Sequence, residues 1–325
     1  MTPQPKHAPS RRLWPYLAVP AIAVLVAAAI FLTDLPGDDG GSGASAGETL
    51  PGSQADSSEL DGTSMQPSEE QLRAAAQDRL QSDLDAAVGE YVAEQGDENF
   101  YASVAVDDAE FQLDYEGDVQ HDTASIVKVE ILAMLLEEYG TLDAVPDWLL
   151  DRAESMIKDS SNDATNDVLY GGTWNDGHDA IRQAHIDFDL ANTNPNETEQ
   201  WGMTQTTALD QLTVLDLALY EGTLDAEQVE YARSLMGDLA DSQQWGVSAA
   251  AHDDETVWMK NGWDTRDAMG GEWVVNSIGV IAGDTEAPIR LAILTGGSAS
   301  DAEGIERVEA LAEIVRAIVD TDPYA

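Results

Sequence analysis

The chain has 325 residues, and its 62 acidic residues against 15 lysines and arginines give it a formal net charge of −47 at neutral pH. A surface this acidic repels phosphate, which excludes binding to nucleic acid as a general function, and the absence of cysteine excludes disulfides, thiol catalysis and cysteine zinc sites. The apolar content of 43% nevertheless predicts a folded domain with a sizeable core.

An uncharged apolar segment at residues 13–32 follows three cations, Lys6, Arg11 and Arg12. As a helix it would be about 30 Å long, which is the thickness of a bilayer core. The cations before it and the acids after it predict an anchor at residues 1–35, with the N-terminus in the cytoplasm and the rest of the chain outside a cell membrane that it crosses once. The alternative is secretion after cleavage of a signal peptide, for which residues 44–46 (ASA) offer a site.

Residues 36–67 are rich in Gly, Ser, Asp and Pro, which predicts a flexible acidic linker. One domain is predicted to follow at residues 68–325. It opens with a capping box at Ser68 and Gln71 and a long amphipathic helix. Two short alternating segments, YASVAVDD and FQLDYEGD, then predict an antiparallel hairpin.

Residues from about 125 to 250 show helical periodicity and acidic loops, which predicts a helical subdomain. Three strands are predicted next, followed by a final helix, at 256–263, 272–283, 288–297 and 302–319. This order predicts an α+β fold in which an antiparallel sheet is flanked by the N-terminal and C-terminal helices, with the helical subdomain beside it.

The first candidate site is Ser125 and Lys128, three positions apart in HDTASIVKVEIL. If a helix begins near Ser125, both side chains lie on one face, and the serine lies close to unpaired backbone N–H groups that can stabilise an oxyanion. A serine hydroxyl needs a base to become a nucleophile, and a lysine can be that base only when burial or another cation lowers its pKa. The alternative is a capping serine beside a surface lysine.

Lysine is scarce in this chain, which has four: Lys6, Lys128, Lys158 and Lys260. Arginine carries most of the remaining positive charge. Because arginine does not deprotonate, a position that needs a neutral amine must keep lysine. The scarcity therefore favours a chemical role for the lysines that lie beyond the predicted anchor.

Two further segments carry candidate site residues. SMIKDSSNDATN places Ser160 and Asn162 at a predicted helix start, where a hydroxyl can pass on a proton and an amide can orient a carbonyl. WMKNGW places Lys260, Asn261 and Gly262 on a predicted strand edge, where an extended ligand and an anion can bind. The alternatives are an ordinary helix cap for the first segment and a strand end with an Asn-Gly turn for the second.

Taken in order, these segments resemble the motifs S-x-x-K, S-x-N and K-T-G of the class A β-lactamase and penicillin-binding protein superfamily. Here they read SIVK from Ser125 to Lys128, SSN from Ser160 to Asn162, and KNG from Lys260 to Gly262. The segments SSNDATN, GMTQTTALDQL and VVNSIGVIAG extend the resemblance, which covers about residues 68–320. It implies a β-lactamase/transpeptidase-like fold.

The resemblance also implies roles for the catalytic residues. Ser125 would be the acylated nucleophile, Lys128 would activate it, and Ser160 would relay a proton to the leaving nitrogen. The oxyanion hole would combine the backbone N–H of Ser125 with another N–H near Trp263, and Trp263 would line the cleft.

Substrate binding would fall to Asn162 and to the K-T-G-like segment. By the resemblance, Asn162 contacts the side-chain amide of the substrate, and Lys260 fixes the carboxylate found on β-lactams and D-alanyl peptides, with Asn261 and Gly262 beside it. Asn261 departs from the pattern because it replaces a hydroxyl residue, so one carboxylate contact is expected to be lost. S-x-N also follows S-x-x-K at about half the usual separation, which predicts a trimmed helical subdomain.

The general base that drives deacylation in the family is the weakest part of the match. Glu197 and Glu199, in NPNETEQWG, are the candidates. Both lie closer to the TQTT segment than the family pattern implies, so the alternative is that they are two surface acids. Without such a base, acylation is expected and deacylation would be slow.

The leading functional hypothesis is an extracytoplasmic serine hydrolase that opens β-lactams through a Ser125 acyl-enzyme. Two alternatives remain: a D-Ala-D-Ala peptidase acting on peptidoglycan stem peptides, and a non-catalytic binding or sensing domain at the cell surface. The histidines show no metal-binding spacing and no glycine-rich phosphate loop is present, so neither a metal nor a cofactor is predicted. We expect a monomer.

Overall fold

The structure is a computed structural model, and it describes residues 67–324 except for 198–199, 221 and 286. The predicted anchor at 1–35 and nearly all of the predicted linker at 36–67 lie outside the described residues. Within the described part of the chain, no helix combines the length and apolarity needed to cross a bilayer.

The described residues form eight α-helices and seven strands. The helices are α1 (Glu69–Glu94), α2 (Val127–Tyr139), α3 (Asp147–Lys158), α4 (Asn162–Tyr170), α5 (Gly177–Asp187), α6 (Ala208–Leu219), α7 (Ala226–Met236) and α8 (Asp301–Val319). The strands are β1 (Tyr101–Asp107), β2 (Gln112–Tyr115), β3 (His121–Asp122), β4 (Gln205–Thr206), β5 (Val257–Arg266), β6 (Glu272–Ile281) and β7 (Ile289–Ser298). The α+β class predicted from the sequence is confirmed.

The main sheet has five antiparallel strands in the order β2-β1-β7-β6-β5. The predicted hairpin is β1 and β2, and the three predicted strands are β5 to β7. β5 pairs only with β6 among the described strands and therefore lies at one edge of the sheet. β3 and β4 form a separate two-stranded ribbon.

The first and last helices pack against each other and against the sheet, as predicted. The capping box at Ser68 and Gln71 is present at the start of α1, which buries Leu80, Leu84 and Val88. α8 packs on β6 and β7, and α1 packs on β2. An added Cβ on Gly304 of α8 would lie 2.3 Å from the side chain of Val275, so glycine is required for this close approach of helix to sheet.

The helical subdomain is built around α2, which contacts α3, α4, α5 and α6. Ten successive α2 residues, Val127 to Leu136, are buried. The helix ends at Gly140, whose φ of 72° is the left-handed conformation that a helix C-terminus commonly adopts. The N-terminus of α2, where the SIVK segment lies, faces the edge strand β5, since the turn before α2 contacts that strand.

Candidate active site

The candidate nucleophile lies in a strained turn before α2. Ser125 is the middle residue of a 3-10 turn at Ala124–Ile126 that runs directly into the helix. Ala124 has a φ of 45° and Ser160, at the start of the SSN segment, has a φ of 55°. Residues other than glycine seldom adopt this left-handed conformation, and such strain gathers at functional sites. The two strained residues bring the two serine hydroxyls to the same lysine.

Lys128 connects the first two sequence motifs through its side-chain amine. Nζ lies 2.8 Å from Ser125 Oγ, 2.8 Å from Asn162 Oδ1, 2.7 Å from the Ser160 carbonyl oxygen and 3.2 Å from Ser160 Oγ. The residue is fully buried. Burial lowers the pKa of Lys128 from 10.5 to about 7. A neutral amine can donate to the carbonyl and amide oxygens while its lone pair accepts the proton of Ser125, which is the role of a general base.

Lys260 brings the third motif to the same point. Its Nζ, on the edge strand β5, donates to Ser160 Oγ at 3.0 Å and to the Asn261 carbonyl oxygen at 2.8 Å. Burial, and then the nearby charge of Lys128, lower the pKa of Lys260 well below its ordinary value. Ser160 Oγ thus bridges two buried amines and can pass a proton between them and a leaving group. Among the described residues, neither amine has a carboxylate within ion-pair distance.

Gly262 allows β5 to reach the nucleophile. A Cβ at this position would lie 2.6 Å from the backbone nitrogen of Ser125 and 2.8 Å from that of Ile126. Only glycine fits this approach of strand backbone to helix N-terminus. The approach places Trp263, the next residue on the strand, beside Ser125, and both line one cleft. This is the position expected for the second backbone donor of an oxyanion hole.

A cleft of about 450 Å³ opens at Ser125. Its walls carry amides and aromatic rings, among them Asn162, Asn166, Tyr170 and Trp263. No described lysine or arginine lines it, and the one carboxylate among its described lining residues is Asp264. Trp263 lines this cleft, and its role in substrate binding, like the other roles implied by the resemblance, remains a prediction.

Trp201 is a site residue that sequence reasoning missed. The centre of its indole ring lies 4.9 Å from Lys128 Nζ, and its Nε1 donates to Asn166 Oδ1 at 3.0 Å. Trp201 also lines the cleft, so its ring contacts the lysine from a wall of the cleft. The signal in the sequence was the position of Trp201 in ETEQWG, just after the candidate glutamates.

The two glutamates proposed as a deacylation base do not form part of the described site. Glu197 is exposed and does not line the cleft, while Glu199 lies outside the described residues. Among the described residues, the ring of Trp201 lies beside Lys128. Among the described residues, no group of three or more His, Asp or Glu side chains is arranged to hold a metal ion.

Asn261, predicted to bind substrate, turns its side chain into the protein. Its Nδ2 donates to the carbonyl oxygens of Gln243 and Trp245 at 2.8 and 3.0 Å, and its Oδ1 accepts from Ser277 Oγ at 2.6 Å. The residue is fully buried and does not line the cleft. Its role is to fasten β5 to the segment that precedes it, because every polar atom of the amide is already bonded within the protein.

Arg266 fastens the other end of β5. It pairs with Asp122 and Asp264 and donates from Nη2 to the carbonyl oxygen of Gly202 at 3.1 Å. Since Gly202 follows Trp201, the guanidinium joins the edge strand to the turn that carries the indole. Arg266 is buried, and all three of its nitrogens have partners.

Comparison with known proteins supports the fold. No family model and no curated protein matches the chain. Among solved structures, a class A β-lactamase from Bacteroides cellulosilyticus DSM 14838 matches at 14% identity and a TM-score of 0.62, covering 75% of this chain and 99% of that one. A β-lactamase from Xanthomonas campestris pv. campestris str. ATCC 33913 matches at 15% identity and a TM-score of 0.63, covering 74% and 98%.

A third solved structure is that of PBP-A, in a mutant form captured as an acyl-enzyme complex with penicillin G. It matches at 19% identity and a TM-score of 0.60, covering 74% of this chain and 97% of that one. The motif resemblance and these matches agree on one architecture. The described part of the chain therefore has the fold that is seen in class A β-lactamases and in PBP-A.

Proposed function

We propose that this protein is an extracytoplasmic active-site serine enzyme of the penicillin-binding type, which β-lactams and D-alanyl peptides acylate at Ser125. The observation that carries the proposal is the 2.8 Å contact between Ser125 Oγ and a buried lysine amine whose pKa lies near neutrality. A serine and a base in direct contact form the minimal unit of nucleophilic catalysis. The placement outside the membrane rests on the apolar segment at 13–32.

The geometry supports acylation in two proton steps. Neutral Lys128 takes the proton of Ser125 as Oγ attacks the acyl carbonyl, and the oxyanion forms near the backbone N–H of Ser125. The carbon–nitrogen bond then breaks, and Ser160 gives its proton to the leaving nitrogen. Ser160 recovers a proton from Lys128, which lies 3.2 Å away. The products are the Ser125 ester and the free amine, and the lysine is neutral again.

The described residues show no base for hydrolysis of that ester. The ring of Trp201 lies against Lys128, and no described carboxylate contacts the lysine or Ser125. A water molecule placed for attack would need such an acceptor. Unless Glu199, which lies outside the described residues, supplies that acceptor, deacylation is slow, and the peptidase or penicillin-binding alternative is favoured over rapid β-lactam turnover.

The test uses the full-length protein in detergent, incubated with benzylpenicillin at millimolar concentration and analysed by intact mass spectrometry. We expect one penicilloyl adduct that persists for many minutes and is absent from Ser125→Ala. Ser234→Ala, an exposed serine on α7, serves as the matched control and should be labelled like the wild type.

A chromogenic cephalosporin separates the remaining alternatives. A single burst of colour equal to the protein concentration, without steady turnover, would support the proposal. Rapid steady turnover would instead favour a true β-lactamase. If neither these reagents nor an uncharged D-alanyl thioester modifies Ser125, the enzymatic proposal fails and a binding or sensing domain is what remains.

A further inference from the structure

The cleft offers little attraction to a substrate carboxylate. The amine of Lys128 is hydrogen-bonded to Ser125, Ser160 and Asn162. The amine of Lys260 is hydrogen-bonded to Ser160 and to a backbone oxygen. Both are fully buried, and neither lines the cleft. Burial also lowers the pKa of both amines, which reduces the positive charge that they could present to an anion.

The neighbouring polar groups on β5 do not replace that attraction. The side-chain amide of Asn261 is bonded to Gln243, Trp245 and Ser277. The guanidinium of Arg266 is buried, and its donors are used by Asp122, Asp264 and backbone oxygens. The side-chain cations and the side-chain amide of this strand, on Lys260, Arg266 and Asn261, are thus all bonded within the protein.

The one charged group among the described residues of the cleft wall is negative. Asp264 follows Trp263 on β5, and its side chain is 65% exposed. Its partner Arg266 is shared with Asp122, so the three side chains together carry one net negative charge. A free carboxylate on the β5 side of the scissile bond would meet this charge with no cation to offset it, which costs binding energy at low ionic strength.

We infer that the preferred acyl donors of Ser125 are uncharged beyond the scissile bond, on the side that faces β5. This class comprises esters, amidated peptides and peptides that continue past that bond, rather than peptides or lactams that end there in a free carboxylate. The inference rests on the proposed function, because it concerns the substrate of the same serine. β-Lactams and D-alanyl peptides with a free carboxylate still acylate Ser125 under this inference, but more slowly than amidated or internal peptide linkages do.

The experiment compares two acyl donors that differ in one group. N-benzoyl-D-alanyl thioglycolic acid has a carboxylate in the leaving group, and its amide, N-benzoyl-D-alanyl thioglycolamide, has none. Thiol release and the Ser125 adduct are followed for both with the full-length protein at low and high salt. We expect the amide to acylate Ser125 at least fivefold faster at low salt, with a smaller ratio at high salt. Equal rates, or a faster reaction of the acid, would overturn the inference.

Two variants locate the source of the preference. Asp264→Asn should lower the amide-to-acid ratio at least twofold, whereas Asp267→Asn, an exposed acid outside the cleft wall, should leave it unchanged. An Asp264→Asn ratio equal to that of the wild type would count against the inference. If neither donor acylates Ser125, and Ser125→Ala behaves like the wild type, the proposed function itself has failed, which is a different result from a lost preference.

Discussion

The indole ring of Trp201 lies over the amine of Lys128, with 4.9 Å between the ring centre and Nζ. Two opposing effects meet in this contact. The face of an aromatic ring attracts the protonated amine by about 0.5–2 kcal/mol, whereas the ring also keeps water away and so favours the neutral amine. Burial lowers the pKa of Lys128 to about 7, and the ring of Trp201 is part of that burial.

Replacing Trp201 should therefore move the pH at which the serine becomes active. In Trp201→Ala, water reaches Nζ and the pKa of Lys128 rises, so the midpoint of the acylation rate against pH should shift upward by about one unit. Trp201→Phe keeps a ring over the amine and should shift less. The rate of adduct formation between about pH 5 and pH 10 measures this, and a downward shift in Trp201→Ala would show that ring attraction outweighs desolvation.

The wild-type rate of acylation should itself follow the titration of Lys128. Its pKa is about 7, and only the neutral form accepts the proton of Ser125. The rate should rise about tenfold per pH unit well below 7 and level off above it. Lys128→Arg should lose acylation at every pH, because a guanidinium does not deprotonate. A rate that is flat from about pH 5 to pH 9 would contradict Lys128 as the base.

Gly262→Ala should damage the site more than the fold. The new Cβ would lie 2.6 Å from the Ser125 nitrogen, so β5 must move away from the turn that carries the nucleophile. We expect acylation to fall by about 100-fold or more, with a loss in stability of about 1–3 kcal/mol. Urea unfolding and adduct formation measure the two effects. Gly222→Ala is the control, since its Cβ would meet no atom within 4 Å and neither property should change.

His121 should make the protein sensitive to acid. It is buried against Ser103, with 2.8 Å between Nε2 and Oγ, and burial lowers its pKa from 6.5 to about 4. Between these pH values His121 is protonated in the unfolded chain and neutral in the folded chain. The free energy of unfolding therefore falls as the pH drops from 6.5 to 4, by about 3 kcal/mol in total.

His121→Gln removes that titration and tests its contribution. The variant should lose less stability than the wild type between pH 6.5 and 4, whatever its stability at neutral pH. Urea unfolding curves at several pH values give the two slopes. If the free energy of unfolding depends on pH equally in the wild type and the variant, His121 does not cause the acid sensitivity, and the carboxylates of the chain cause it.

Most of the architecture could be predicted because each element has a local signal. The capping box at Ser68 marks the start of α1, and alternation marks the β1–β2 hairpin. The end of β5 shows where prediction from local sequence signals fails. The strand is predicted at 256–263, whereas it continues to Arg266, whose buried guanidinium binds Asp122 from a distant part of the chain. A contact so far apart in sequence leaves no periodic pattern.

The site was predictable only in part for the same reason. The convergence of Lys128, Ser160 and Lys260 followed from motifs that carry their own chemistry. The inward turn of Asn261 depends on backbone oxygens of a distant segment, and the placement of Trp201 depends on an amide of α4. These are tertiary contacts of ordinary residue types, so nothing in the local sequence distinguishes them from a strand end or a core tryptophan.

The continuous burial of α2 has a consequence for how the site moves. Ten successive residues of this helix are enclosed, so its amide hydrogens should exchange with solvent only when the whole domain unfolds. Lys128 is one of those ten residues, so its low pKa depends on the packing of the whole domain around α2. Substitutions far from the cleft that loosen this central helix should show themselves first as a drift of the pH profile toward alkaline values, before any loss of secondary structure is measurable.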